Sequence, residues 1–140
     1  MQALPDRTRP ARLRTAMKAT LPEITLNLLR IASGAIYVPH GCQKLFGEQP
    51  PDFASLLGVA GLLELIGGSM IIVGLFTRPV AFILSGQMAV AYWTAHAPRG
   101  PWPIDNGGEL AVLFCFIYLF LFAHGGGRWS IDGLRKGGKA

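Results

Sequence analysis

No ionised side chain stands between Glu109 and Arg128, and residues 111–123 read AVLFCFIYLFLFA. A helix built from that run is apolar on every side, so it has no face to offer water. Three more segments have similar character: 24–46, 53–76 and 79–97, with the fourth at 108–125. Each is close to the ~20 residues that cross ~30 Å of hydrocarbon. The intervening EQPPD, TRP and APRGPWPIDN are turn-forming, because Pro and Gly break helices. The pattern predicts an all-α, four-transmembrane-helix antiparallel bundle. A soluble four-helix bundle would carry a polar stripe on each outward face, and segment 53–76 has a single ionised residue, Glu64.

The spans occupy most of the chain's 140 residues and leave no room for a soluble domain. The expected organisation is a basic tail over 1–22, a four-helix membrane domain over 23–127, and a second basic tail over 128–140. Only 15% of the residues are charged, against about 25% in an ordinary soluble domain. With 51% hydrophobic residues, disorder is excluded, and two cysteines do not make a disulfide scaffold.

The net charge of +5 is not a nucleic-acid signature, because the basic residues gather at the chain ends. Arg7, Arg9, Arg12, Arg14, Lys18, Arg78, Arg128, Arg135, Lys136 and Lys139 fall on one side of a four-span topology. Arg99 and Lys44 fall on the other. Basic loops stay inside, so both termini are expected in the cytoplasm of a multi-pass protein. The first tail lacks the apolar core and cleavage site of a secretory signal and reads as a solvated arm near anionic lipid. Thr20, Pro22 and Glu23 fit the cap, first turn and capping box of the first helix.

Charge inside a span is costly and normally faces the bundle interior. Asn27, Arg30, Gly34, Tyr37, Gly41 and Lys44 follow steps of three and four, so they form one stripe on a helix, with His40 beside it. Rise per residue puts Arg30, Glu64 and Gln87 at comparable depth, and an Arg30–Glu64 ion pair is expected, as a structural lock or a functional one. A second polar layer, nearer the outer surface, gathers His40, Lys44, Tyr92, His96, Asp105, Asn106 and Glu109. Trp93, Trp102 and Trp129 read as interface anchors. Small residues at Ala60, Gly67 and Gly74, and at Ala81, Ser85 and Ala89, mark ridges where helices approach closely.

There is no Walker loop, dinucleotide fingerprint, HExxH or CxxC. Cys42 and Cys115 read as structural thiols. His40 and His96 could ligate a haem, but no motif supports it, and neither an intrinsic cofactor nor a metal site is expected.

Four motif groups, in order, resemble the DoxX family. They are Leu29-Arg30 through His40-Gly41-Cys42-Gln43-Lys44-Leu45-Phe46-Gly47; Gly61 to Gly68 leading to Gly74-Leu75-Phe76-Thr77-Arg78-Pro79; Asn106-Gly107-Gly108-Glu109-Leu110; and Gly127-Arg128-Trp129-Ser130-Ile131-Asp132. The resemblance implies a small four-helix protein of the bacterial inner membrane. Its namesake is a membrane subunit of a thiosulfate:quinone oxidoreductase, and other members are linked to thiol and oxidative stress. It marks Arg30, His40, Gln43, Lys44, Glu64, Arg78 and Glu109 as motif residues; Cys42 is not one.

The expected function is therefore a membrane subunit of a quinone- or thiol-linked redox system, with quinone as a substrate rather than a resident cofactor. Its pocket would be formed by Arg30, Tyr37, His40, Lys44, Glu64, Gln87, His96 and Glu109. His40 and Glu109 are the candidate proton-transfer residues. Electrons would come through unlike redox subunits, the chain itself showing no redox centre; homo-oligomers are also possible partners. The alternatives are a non-enzymatic scaffold or assembly subunit and a small-solute transporter using the same polar stripe.

Overall fold

The computed structural model describes residues 11–137, with side chains from 20 to 135. The parts of the basic tails at 1–10 and 138–140, and the side chains of Arg12, Arg14, Lys18 and Lys136, lie outside the described residues. The described chain is helical, without strands.

Helix α1 runs Ala11–Phe46 and contains Pro22 and Pro39. It begins well before Thr20, which corrects the expected start. Residues 11–21 are rich in Ala, Arg, Leu, Met and Lys, which favour helix, and Pro22 is carried inside at the loss of one backbone bond. Glu23 closes no capping box; its carboxylate accepts from Arg128 N at 3.0 Å.

Helix α2 spans Leu56–Val73. The Ser55 hydroxyl caps it by accepting from Gly58 N at 3.1 Å. One turn, Leu63–Gly67, is a π-helix. The helix ends where Gly74 takes φ 70°, and Gly74 N and Leu75 N bond back to Ile71 O and Met70 O. That is a Schellman stop, and it needs a residue that tolerates the left-handed region.

Helix α3, Thr77–Ala91, continues into a π turn over Tyr92–His96 and a 3-10 turn over Ala97–Arg99. A short α4, Pro103–Asn106, leads to α5, Glu109–His124, and the described chain closes with α6, Ile131–Gly137.

Contacts fix the packing. Gly34 lies against Gly68 and Ile72, Gly41 against Gly61 and Leu65, so α1 and α2 run antiparallel. Gly67 meets Leu84, and Gln87 meets Glu64, which sets α3 antiparallel to α2. Ser85 bonds Cys115 O at 2.8 Å and Phe82 packs on Phe122, so α5 runs antiparallel to α3. Tyr118 bonds Ser33 O at 3.3 Å and closes the ring of helices. The core is Tyr37, Ile71, Ala81, Leu84, Met88, Ala111, Phe114, Tyr118 and Leu121.

The surface is the inverse of a soluble bundle. Arg30 and Glu64 are 1% and 2% exposed, while Leu28, Ile66, Phe82, Leu113 and Phe116 are all more than half exposed. An apolar surface of that extent needs an apolar medium or partner to cover it. By length and composition, α2 is long and apolar enough to cross a membrane, and α5 is apolar but shorter. Helix α1 carries the polar stripe, and α3 gives way to π and 3-10 turns after fifteen residues.

The glycine contacts give a paired test. A Cβ on Gly41 would lie 2.5 Å from Leu65 N, whereas nothing lies within 4 Å of one on Gly86. We expect Gly41→Val to cost about 1–3 kcal/mol by forcing α1 off α2. Gly86→Ala should leave thermal stability in detergent unchanged or slightly raised. Equal melting of both variants would contradict the close α1–α2 contact.

Candidate functional site

The polar stripe of α1 divides into two nodes at opposite ends of the bundle. At one end Arg30 is sealed. Its Nη1 donates to Ile71 O at 2.6 Å and to Ile72 O, and its Nη2 donates to Trp129 O at 2.9 Å and Asn27 Oδ1 at 3.1 Å. The guanidinium thus occupies the C-terminus of α2, where the last carbonyls lack helical partners and the dipole favours a cation.

The closing segment completes this node. Asp132 N donates to Gly74 O at 3.0 Å, and the Asp132 carboxylate accepts from Phe76 N at 2.9 Å and Thr77 N at 2.7 Å. It therefore caps α3 across the chain and supports Phe76 at φ 47°, a conformation unusual for a bulky residue.

The expected Arg30–Glu64 ion pair does not form. Glu64 pairs with Lys44 instead. Antiparallel packing sets Arg30 level with Ile71 and Ile72, and seven residues of helix place Glu64 ~10 Å away along α2. Lys44, level with Gly61, reaches Glu64 from the other end.

That second node opens on a cavity of about 630 Å³. Its walls come from the C-terminal part of α1, the N-terminal half of α2, the C-terminal half of α3 with its π turn, and the start of α5. Most of the lining is apolar, including Leu63, Met88, Ala91 and Phe114. Tyr37, His40, Lys44, Glu64, Gln87 and His96 supply most of the polarity. Arg30 and Glu109 do not line it; Glu109 is exposed in the first turn of α5, next to lining residues Leu110 and Ala111.

Glu64 sits in the π turn of α2, a distortion common at functional sites. Its Oε1 takes Lys44 and Gln87 Nε2, the latter at 2.9 Å, and Gln87 Nε2 also reaches Ala60 O at 3.3 Å. Glu64 Oε2, Gln87 Oε1 and the Tyr37 hydroxyl are buried without a partner. Buried polar atoms are nearly always bonded in native proteins, so three orphans in one lining call for a ligand or water to complete them. At the mouth, His40 is exposed, while His96 stacks on Tyr92 and bonds Asn106 O at 3.3 Å. Asn106 ties this end together, donating to Gly100 O at 2.9 Å and accepting from Gly108 N at 2.8 Å.

Among the described residues no group of His, Cys, Asp and Glu could hold a metal ion. Cys42 and Cys115 are both free thiols. The residues missing from the sequence-based site are Ser130 and Asp132, which meet Gly74, Phe76 and Thr77 across a long separation in the chain. The closing motif around Asp132 was the signal available for both.

A double-mutant cycle tests the Lys44–Glu64 pair. Lys44→Met leaves Glu64 buried without its cation and should cost about 3 kcal/mol, the low end for a broken buried pair because Lys44 is partly exposed. Lys44→Met/Glu64→Gln should recover most of that loss in thermal melts. A double variant as unstable as the sum of the single changes would show that the two groups are not coupled.

The model of the DoxX family matches residues 25–97. These hold the first two motif groups, with both members of the ion pair and Gln87; the last two groups lie beyond them. Two proteins of Haemophilus influenzae (strain ATCC 51907 / DSM 11121 / KW20 / Rd), each described as "Uncharacterized protein", are similar to the chain. One is 40% identical over 118 residues, covering 76% of this chain and 87% of that protein. The other is 36% identical over 73 residues, covering 52% and 48%. No solved structure matches.

Proposed function

The chain belongs to the DoxX family, and from that premise we propose that it is a membrane-embedded subunit of a redox system, holding a quinone-type ring in the cavity at the Lys44–Glu64 node. The observation that carries this reading is the cavity itself: about 630 Å³, apolar over most of its wall, with a few buried polar groups brought together on one side. Ligand sites for small amphipathic molecules have that size and composition. The DoxX family is membrane-associated, and the apolar belt of the bundle fits four crossings of a bacterial inner membrane.

In this reading Arg78, Arg128 and Arg135 mark the cytoplasmic end, with both termini. The cavity faces the opposite leaflet, and Trp93 and Trp102 sit at that interface, each about two-thirds or more exposed. Reduction of the ring takes up two electrons and two protons. The electrons pass to or from an unlike subunit carrying a redox centre. The protons have a route past the Lys44–Glu64 pair to His40, which lines the cavity and is exposed at its mouth. Glu109, outside the cavity, is a secondary candidate for that exchange.

Binding of a short-tailed quinone couple to the purified protein in lipid nanodiscs tests the site. We expect saturable binding at one site per chain, strongly weakened in Ala91→Trp, whose indole intrudes on the cavity wall, with melting of the apo protein little changed. Affinity unchanged in that variant, or binding that never saturates, contradicts the reading. A scaffold predicts no binding and co-purification with unlike subunits; a transporter predicts solute flux from this chain alone in vesicles. Reporter fusions at either terminus should both read cytoplasmic, and an external signal from either would contradict the topology.

A further inference from the structure

The hydrogen-bonding polarity of the cavity lining is lopsided, and this deepens the cavity reading above, on which it rests. Gln87 Nε2 donates to both Glu64 Oε1 and Ala60 O, which fixes the amide's orientation and leaves its Oε1 as an acceptor without a partner. Glu64 Oε1 is occupied by Lys44 and Gln87, while Oε2 has no partner. A carboxylate in an ion pair offers acceptors alone. The Tyr37 hydroxyl, also unpartnered, can give or take. The buried lining thus holds two acceptor-only atoms and one hydroxyl, and no buried N–H of Gln87 is left over. Lys44, with its side chain 30% exposed, can turn its remaining hydrogens to water.

We propose that the cavity selects its ligand by the hydrogens the ligand donates: the reduced, dihydroxy form of a quinone-type ring binds in preference to the oxidised form. An oxidised ring presents carbonyl oxygens, which are acceptors. Set against Glu64 Oε2 and Gln87 Oε1, they leave both atoms unpaired and face like partial charges. The reduced ring brings an O–H donor to the same place. A site built around hydrogen bonds discriminates strongly against a ligand that cannot make them, because its own buried groups then stay unpaired. The apolar walls at Leu63, Met88 and Phe114 contact ring and tail equally in both forms, so the difference resides in the polar cluster.

The test is equilibrium binding, under anaerobic conditions, of a short-tailed benzoquinone and its hydroquinone to the protein in nanodiscs. We expect the hydroquinone to bind at least about tenfold more tightly. That ratio raises the midpoint potential of the bound two-electron couple by about 30 mV. Gln87→Leu removes one acceptor, keeps the Lys44–Glu64 pair, and should reduce the ratio several-fold. Glu64→Gln places a donor on the opposite side and should abolish or invert it; if that variant does not fold, Gln87→Leu carries the test. Equal affinity, tighter binding of the quinone, or an undiminished ratio in Gln87→Leu overturns the donor preference and leaves the cavity reading standing. Failure of both forms to bind overturns the two together.

Discussion

A charge enclosed by apolar helices must find its counter-groups within the chain, because no water is there to supply them. This bundle meets that demand twice on one helix face. Arg30 is matched by three backbone carbonyls and an amide side chain. Glu64 is matched by Lys44 and Gln87. The α1–α2 pair is held in register around these two nodes: its glycines bring the backbones close enough for Arg30 and Lys44 to reach across.

The nodes differ in what adjoins them, and that difference separates architecture from chemistry. Around Arg30 the closing turn folds back, Asp132 caps α3, and Ser130 packs against Gly74 so tightly that a Cβ there would collide with it. Two buried atoms of this node, Arg30 Nε and Thr77 Oγ1, have no partner, but neither residue lines the cavity. At the other end, three unpartnered polar atoms belong to residues that line an open volume. A group with most of its bonds made can lock a bundle; unpaired atoms beside an open volume have capacity left for a ligand. The π turn at Leu63–Gly67 belongs to the second node, where a regular helix would orient Glu64 differently.

Much of this was legible in the sequence because it is periodic. The apolar runs gave the helices, the three-and-four spacing of Asn27 to Lys44 gave the inward stripe, and the small residues of α2 and α3 gave the contact ridges. The partner of Arg30 was not legible, since backbone carbonyls have no sequence signature and one of them, Trp129 O, lies 99 residues away. The expected pairing with Glu64 failed because depth was counted from assumed span starts, whereas the antiparallel register sets Arg30 beside Ile71. The start of α1 was misplaced because Pro22 reads as a first-turn residue. Six of the eight expected pocket residues line one cavity; Arg30 and Glu109 lie outside it, and the volume itself has no local pattern to announce it.

The account depends on an outward face that meets lipid while charge looks inward. Power saturation of nitroxide labels at Leu113, Phe116 and Phe120, all exposed on α5, measures this directly in reconstituted bilayers. The account predicts strong relaxation by dissolved oxygen and little by a water-soluble nickel chelate at all three positions. Equal or greater access for the chelate would place that face in water and contradict it.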